Sequence, residues 1–124
     1  MENNVIVNAV SEFIPELSKK NDSNYYYLYE VTIQNKSRKK IKLLSRHWDI
    51  SDGAGKKKQI DGDGVVGKNP IINPGEMFKY KSYCPLKTEF GFMSGFYTMK
   101  NEDGEIFKVL IPEFPLVLLF RRPV

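Results

Sequence analysis

Asp61-Gly62-Asp63-Gly64-Val65-Val66-Gly67 fits the pattern G-x-G-x-x-G, and its reading decides between an α/β and an all-β fold. In a dinucleotide-binding fold such glycines follow a strand and open a helix whose first N–H groups hold a pyrophosphate. Here the next residues are Lys68-Asn69-Pro70-Ile71-Ile72-Asn73-Pro74-Gly75. Proline lacks the backbone donor and clashes with the preceding turn, so two prolines among asparagines and a glycine do not continue a helix. The dinucleotide reading fails on context, and the glycines become a loop between strands.

Outward from that loop the patterning has period two. Val5, Val7 and Ala9 alternate along a first strand ending near Phe13-Ile14-Pro15, and Ser18 to Asn24 reads as a polar loop. Tyr25, Tyr27, Tyr29, Val31 and Ile33 line one face of a long strand, with Glu30, Thr32 and Gln34 on the other. Aromatic and β-branched residues in alternation are the strongest strand signal in the chain. Ile41 to Ile50 follows, with Leu44, Trp48 and Ile50 expected on one face, and then Lys56 to Ile60 as a charged strand near an edge. Met77 to Tyr83, Phe92 to Lys100 and Glu105 to Ile111 complete the series, the last two joined by the Asn101-Glu102-Asp103-Gly104 turn. The pattern predicts an all-β protein: an immunoglobulin-like or fibronectin type III-like sandwich of about seven antiparallel strands, forming one domain over residues 1–124.

Composition agrees. A chain of 124 residues with 41% hydrophobic and 13% aromatic residues can bury one core. No basic region followed by an apolar segment opens the chain, and no apolar run approaches the roughly 20 residues of a membrane helix. The expectation is a cytoplasmic protein without membrane insertion. Cys84 stands alone, so no internal disulfide forms.

The net charge is +4, and lysines cluster at Lys36 to Lys42 and at Lys56, Lys57 and Lys58. Both clusters flank turn signals, where solvated lysines also guard strand edges, and this reading is preferred to nucleic-acid binding. Catalytic groups are scarce. His47 is the only histidine, and a nucleophile pair with Cys84 lacks any sequence feature that would lower the thiol pKa. No ligand spacing points to a metal, and no cofactor is expected.

Two features carry binding hypotheses. Gly62, Gly64 and Gly67 could form an anion nest of backbone N–H groups, with Arg46 and Lys68 supplying charge for pyrophosphate or a dinucleoside polyphosphate. The alternative is that the glycines serve bulges and positive φ. The second feature is the apolar run Pro115 to Phe120. Its residues Leu116, Leu118 and Phe120 either form a last buried strand or dock on a neighbour, for instance a second copy in a homodimer.

Several stretches together resemble a known family. Leu43-Leu44-Ser45-Arg46-His47-Trp48, Asp52-Gly53, Gly62 to Gly67 and Asn73-Pro74-Gly75-Glu76 are similar, in order and spacing, to successive motifs of the ApaG family. So are Cys84-Pro85-Leu86-Lys87-Thr88, Gly91 to Tyr97 and Ile111-Pro112-Glu113-Phe114. The resemblance implies a fibronectin-type sandwich, a small bacterial protein, and an indirect association with cobalt and magnesium efflux. The same domain in eukaryotic F-box and polymerase-delta-interacting proteins implies protein interaction. The resemblance carries over no catalytic residues, and the tail Leu118 to Arg122 is more apolar and basic than the family pattern. The expected function is therefore a non-enzymatic module that binds a protein partner, with a phosphate-rich small molecule at the glycine loop as the alternative.

Overall fold

The long alternating run does form the longest buried stripe of its sheet. In the computed structural model, which describes residues 4–20 and 24–118, it is β2 (Tyr25–Asn35). Tyr27, Val31 and Ile33 are fully buried along it, with Tyr29 nearly so. β2 pairs antiparallel with β1 (Val5–Phe13) on one side and β6 (Met77–Leu86) on the other. The second sheet has the order β4-β3-β7-β8, built from β3 (Ile41–Asp52), β4 (Lys57–Asp63), β7 (Gly91–Asn101) and β8 (Ile106–Leu116). The two-residue β5 (Ile71–Ile72) pairs with the start of β3. All named pairings are antiparallel, as expected, and the described residues contain eight strands where about seven were read.

The polar stretch after β1 is not all loop. Pro15–Lys20 form a short helix, α1, with proline in the first turn, where its missing N–H goes unused. The helix is six residues long, too short to leave a periodic signal. No helix among the described residues is long and apolar enough to cross a membrane.

Inner faces of both sheets share one core, which includes Leu43, Trp48, Tyr97, Met99 and Ile111 from the second sheet. The hydroxyls of Tyr80 on β6 and Tyr97 on β7 bond to each other at 2.5 Å, joining the sheets with a satisfied polar pair. Burial raises both phenol pKa values, Tyr97 the more strongly.

Two expectations need correction. Leu43, not Leu44, joins Trp48 and Ile50 in the core, because the β3–β7 register shifts between Leu43 and Ser45. Strict alternation puts positions five apart on opposite faces, and one bulged residue restores them to the same face. The second concerns the tail, for which a buried strand and an interface were both expected. Leu116 is fully buried at the end of β8, opposite Gly91, and Leu118 packs partly buried against the core. Leu116 is thus core rather than interface, while Phe120 lies outside the described residues.

Asn35 is the one described polar residue classed as fully buried with the core. Its Nδ2 donates to Lys39 O and Ile72 O, both at 2.9 Å, and its Oδ1 accepts from Ser37 N and Oγ. Its backbone accepts from Gly75 N and donates to Glu76 O. One side chain thereby fixes the crossover between the sheets, with every donor and acceptor matched.

Candidate functional site

β4 and β5 lie along the same edge of β3, one after the other, and the glycine loop fills the gap between them. At that gap β3 bulges, and its carbonyls need other partners. Gly64 N donates to Leu44 O at 2.8 Å, and Asn69 Nδ2 donates to Leu43 O and Leu44 O at 3.2 and 3.1 Å.

Each glycine has its own reason. A Cβ on Gly62 would meet three guanidinium atoms of Arg46 at 2.7 to 2.9 Å, so the bare backbone lets the guanidinium lie against the strand. Arg46 Nη1 donates to Asp63 O and Gly64 O, both at 2.8 Å. Gly64 has φ of 55°, and a Cβ there would lie 2.1 Å from Lys68 O. Gly67, with φ of 77°, is the second residue of a tight hairpin turn closed by Val65 and Lys68, which exchange N–H···O bonds of 2.8 and 2.9 Å.

The five residues proposed as an anion loop are therefore neighbours, but their polarity is reversed. The N–H groups of Gly64, Val65 and Lys68 are engaged by backbone carbonyls, and the loop turns two carbonyl oxygens toward Arg46. That arrangement satisfies a bound cation, supplied by the chain itself. The hairpin tip is strained as well. Val66 adopts φ of 44°, a left-handed conformation that costs a non-glycine residue about 1–3 kcal/mol.

A more open feature lies one strand away. β6 and β4 are edge strands of opposite sheets, and they part around a cleft of about 570 Å³. Trp48, Ile50, Ile60, Leu86 and Met93 contribute its apolar lining, from four different strands. Lys56, Lys57, Lys58 and Lys87 surround it. Lys58 pairs in register with Ile50, which places it on the inward side of β4, and its charge reaches the Cys84 thiol on β6. The carboxylate at this rim, Asp52, uses one oxygen to accept from Ala54 N and Lys56 N, both at 2.9 Å. None of the four lysines makes an ion pair with a described residue.

Trp48 is 2% exposed, and its ring meets Tyr29 and Phe114 edge to face, at 5.3 and 6.0 Å between centroids. Its Nε1–H finds no acceptor among the described residues. A buried donor without a partner costs about 1–3 kcal/mol, so this flank keeps a tension that the Asn35 crossover does not.

His47 and Cys84 do not meet. His47 projects from the outer face of the second sheet, where Nδ1 lies 2.7 Å from Asp61 Oδ1 and Nε2 lies 3.2 Å from Asp49 Oδ1. Its ring stacks on Phe96 at 4.8 Å. Carboxylates only accept, so both contacts are hydrogen bonds only in the imidazolium form. The Asp61 bond, helped by Asp49, raises the His47 pKa. Cys84 faces the interior, where burial pushes its thiol up to about 11 and keeps it a weak nucleophile at neutral pH. Among the described residues no three His, Cys, Asp or Glu side chains are placed to hold a metal ion.

Sequence reasoning identified the lysines and Trp48 separately. It missed that β6 faces β4 and so brings Lys87, Cys84 and Leu86 opposite Lys58 and Ile60. That proximity comes from sheet order, and no local signal encodes it.

Comparison with known proteins agrees with these landmarks. The ApaG domain family matches residues 15–101. Protein ApaG of Methylobacterium sp. (strain 4-46) is 46% identical over 112 residues, covering 90% of this chain and 86% of its own length. Protein ApaG of Beijerinckia indica is 42% identical over 118 residues, covering 95% and 91%. A crystal structure of a Bordetella pertussis protein called ApaA superposes with a TM-score of 0.88 at 38% identity, covering 92% of this chain and 93% of that one.

Proposed function

The chain belongs to the ApaG family, and for this member we propose a non-enzymatic role: it is a binding module that takes an acidic segment of a partner protein on the open flank of the sandwich. The observation that carries this reading is the set of four lysines around one apolar cleft that make no ion pair among the described residues. Clustered like charges repel one another and raise the local concentration of an oppositely charged partner. The chemistry of the cleft supports binding over catalysis. Its thiol is held protonated by burial, and the single imidazole sits on the other face of the sheet between two carboxylates.

Trp48 is the sole tryptophan and lines the cleft, so its emission reports occupancy. A short Glu-rich peptide should change that emission at low salt, and the response should fade as salt screens the lysines. Lys57→Glu combined with Lys58→Glu should weaken binding by about tenfold or more without lowering the folding midpoint. Unchanged affinity in that variant would overturn the reading. Pyrophosphate binding as well as the peptide would favour a plain anion site, and an oligonucleotide that displaces the peptide would favour nucleic acid.

A further inference from the structure

Resting on that reading, we infer that the recognised segment carries a bulky apolar side chain among its acidic residues, and that this side chain enters the cleft over Trp48. The lysines account for the rim alone. Inside it, Trp48, Ile50, Ile60, Leu86 and Met93 form an apolar floor, and the Arg46 guanidinium that also lines the cleft is already engaged by Asp63 O and Gly64 O. A carboxylate pushed among these apolar side chains would lose its hydration, whereas at the rim it keeps water and meets lysines, so the acidic residues stay there.

Size points the same way. A volume of about 570 Å³ falls within the range of about 300–1,000 Å³ typical of sites that enclose a ligand. It has room for an aromatic ring. Ile60 marks the entrance: it is half-buried on the edge strand β4 and packs against the core. Lys58 stands two residues before it on the same inward side, and Lys87 follows the end of β6 on the opposite bank. An apolar anchor seated between these banks leaves the neighbouring acidic groups within reach of both. The division of labour is common in interfaces, where a buried aromatic anchor supplies affinity and rim charges supply rate and orientation.

Two Glu-rich peptides of equal charge test the inference, one with a central Phe and one with Ser in its place. Neither contains tryptophan, so Trp48 emission reports both. The Phe peptide should bind about tenfold tighter or more. Ile60→Phe, which fills the entrance, should erase that gain, so that the two peptides bind the variant equally. Equal affinity of the two peptides, both still sensitive to salt and to the Lys57 and Lys58 reversal, would overturn the anchor and leave the acidic-partner reading standing. Failure of both peptides to bind at low salt would overturn the acidic-partner reading, and the anchor with it.

Discussion

Along one flank of the sandwich β1 and β8 come together, and Ser11 Oγ donates to Pro115 O at 2.7 Å. Along the other, β6 and β4 stay apart around a cleft whose four lysines make no ion pair with a described residue. The same contrast recurs among the buried polar groups. Asn35 has every hydrogen-bonding atom matched, whereas the Trp48 indole donor has no acceptor among the described residues. The difference teaches that burial alone does not distinguish a region built for stability from one kept open. The distinguishing observation is whether the polar groups are satisfied within the chain.

Substitution can break this contrast. Trp48→Ala should cost about 3–5 kcal/mol, because a large ring leaves a cavity among Tyr29 and Phe114. Loss of less than about 1 kcal/mol in denaturant unfolding would mean that the open flank contributes no core. Asn35→Ala should cost about 2–3 kcal/mol, since it strands Ile72 O in the interior and leaves Lys39 O and Ser37 N, which are part-buried, without their partner. If its cost instead fell within about 0.5 kcal/mol, the typical value for a surface site, the crossover would be no better secured than the open flank.

The smallest effect expected concerns the outer face. A raised His47 pKa means that its contribution to stability is full below its ordinary value of 6.5 and is lost as pH rises through the raised folded value. Asp49 is lowered, first by its bond from Gln59, so its contribution is present above its ordinary value and is lost as pH falls through the lowered one. The thermal midpoint should therefore decline slightly as pH rises above neutrality, and His47→Gln should flatten that decline. An unchanged slope in the variant would remove the histidine from the account.

The strands themselves were legible because β2, β6 and β8 alternate, and Asn101 to Gly104 was legible as a turn because only a few residue types favour positive φ. The failure of the dinucleotide motif was legible from Pro70 and Pro74. The bulge at Leu44 was not. It depends on Gly64 and Asn69, about twenty residues away, reaching back to the freed carbonyls, and a local period carries no record of that. The same holds for Gly62, whose missing Cβ matters because Arg46 lies across it. Local chemistry predicts elements, while the joints between elements are settled by partners distant in the chain.

The pairing of β2 with β6 has a consequence in time. Tyr25 finds Leu86 across the sheet, so the first sheet is complete only after a loop containing β3, β4 and β5 of the second sheet has closed. Loop closure must precede the contacts that compensate for it, and folds dominated by such distant pairings fold on a scale of about milliseconds to seconds. Over that interval the inner stripe of β2, from Tyr27 to Ile33, stays open to water and to other chains. The lysines at 79 and 81 on the edge of β6 then serve a second purpose, since like charges keep incomplete copies from joining edge to edge.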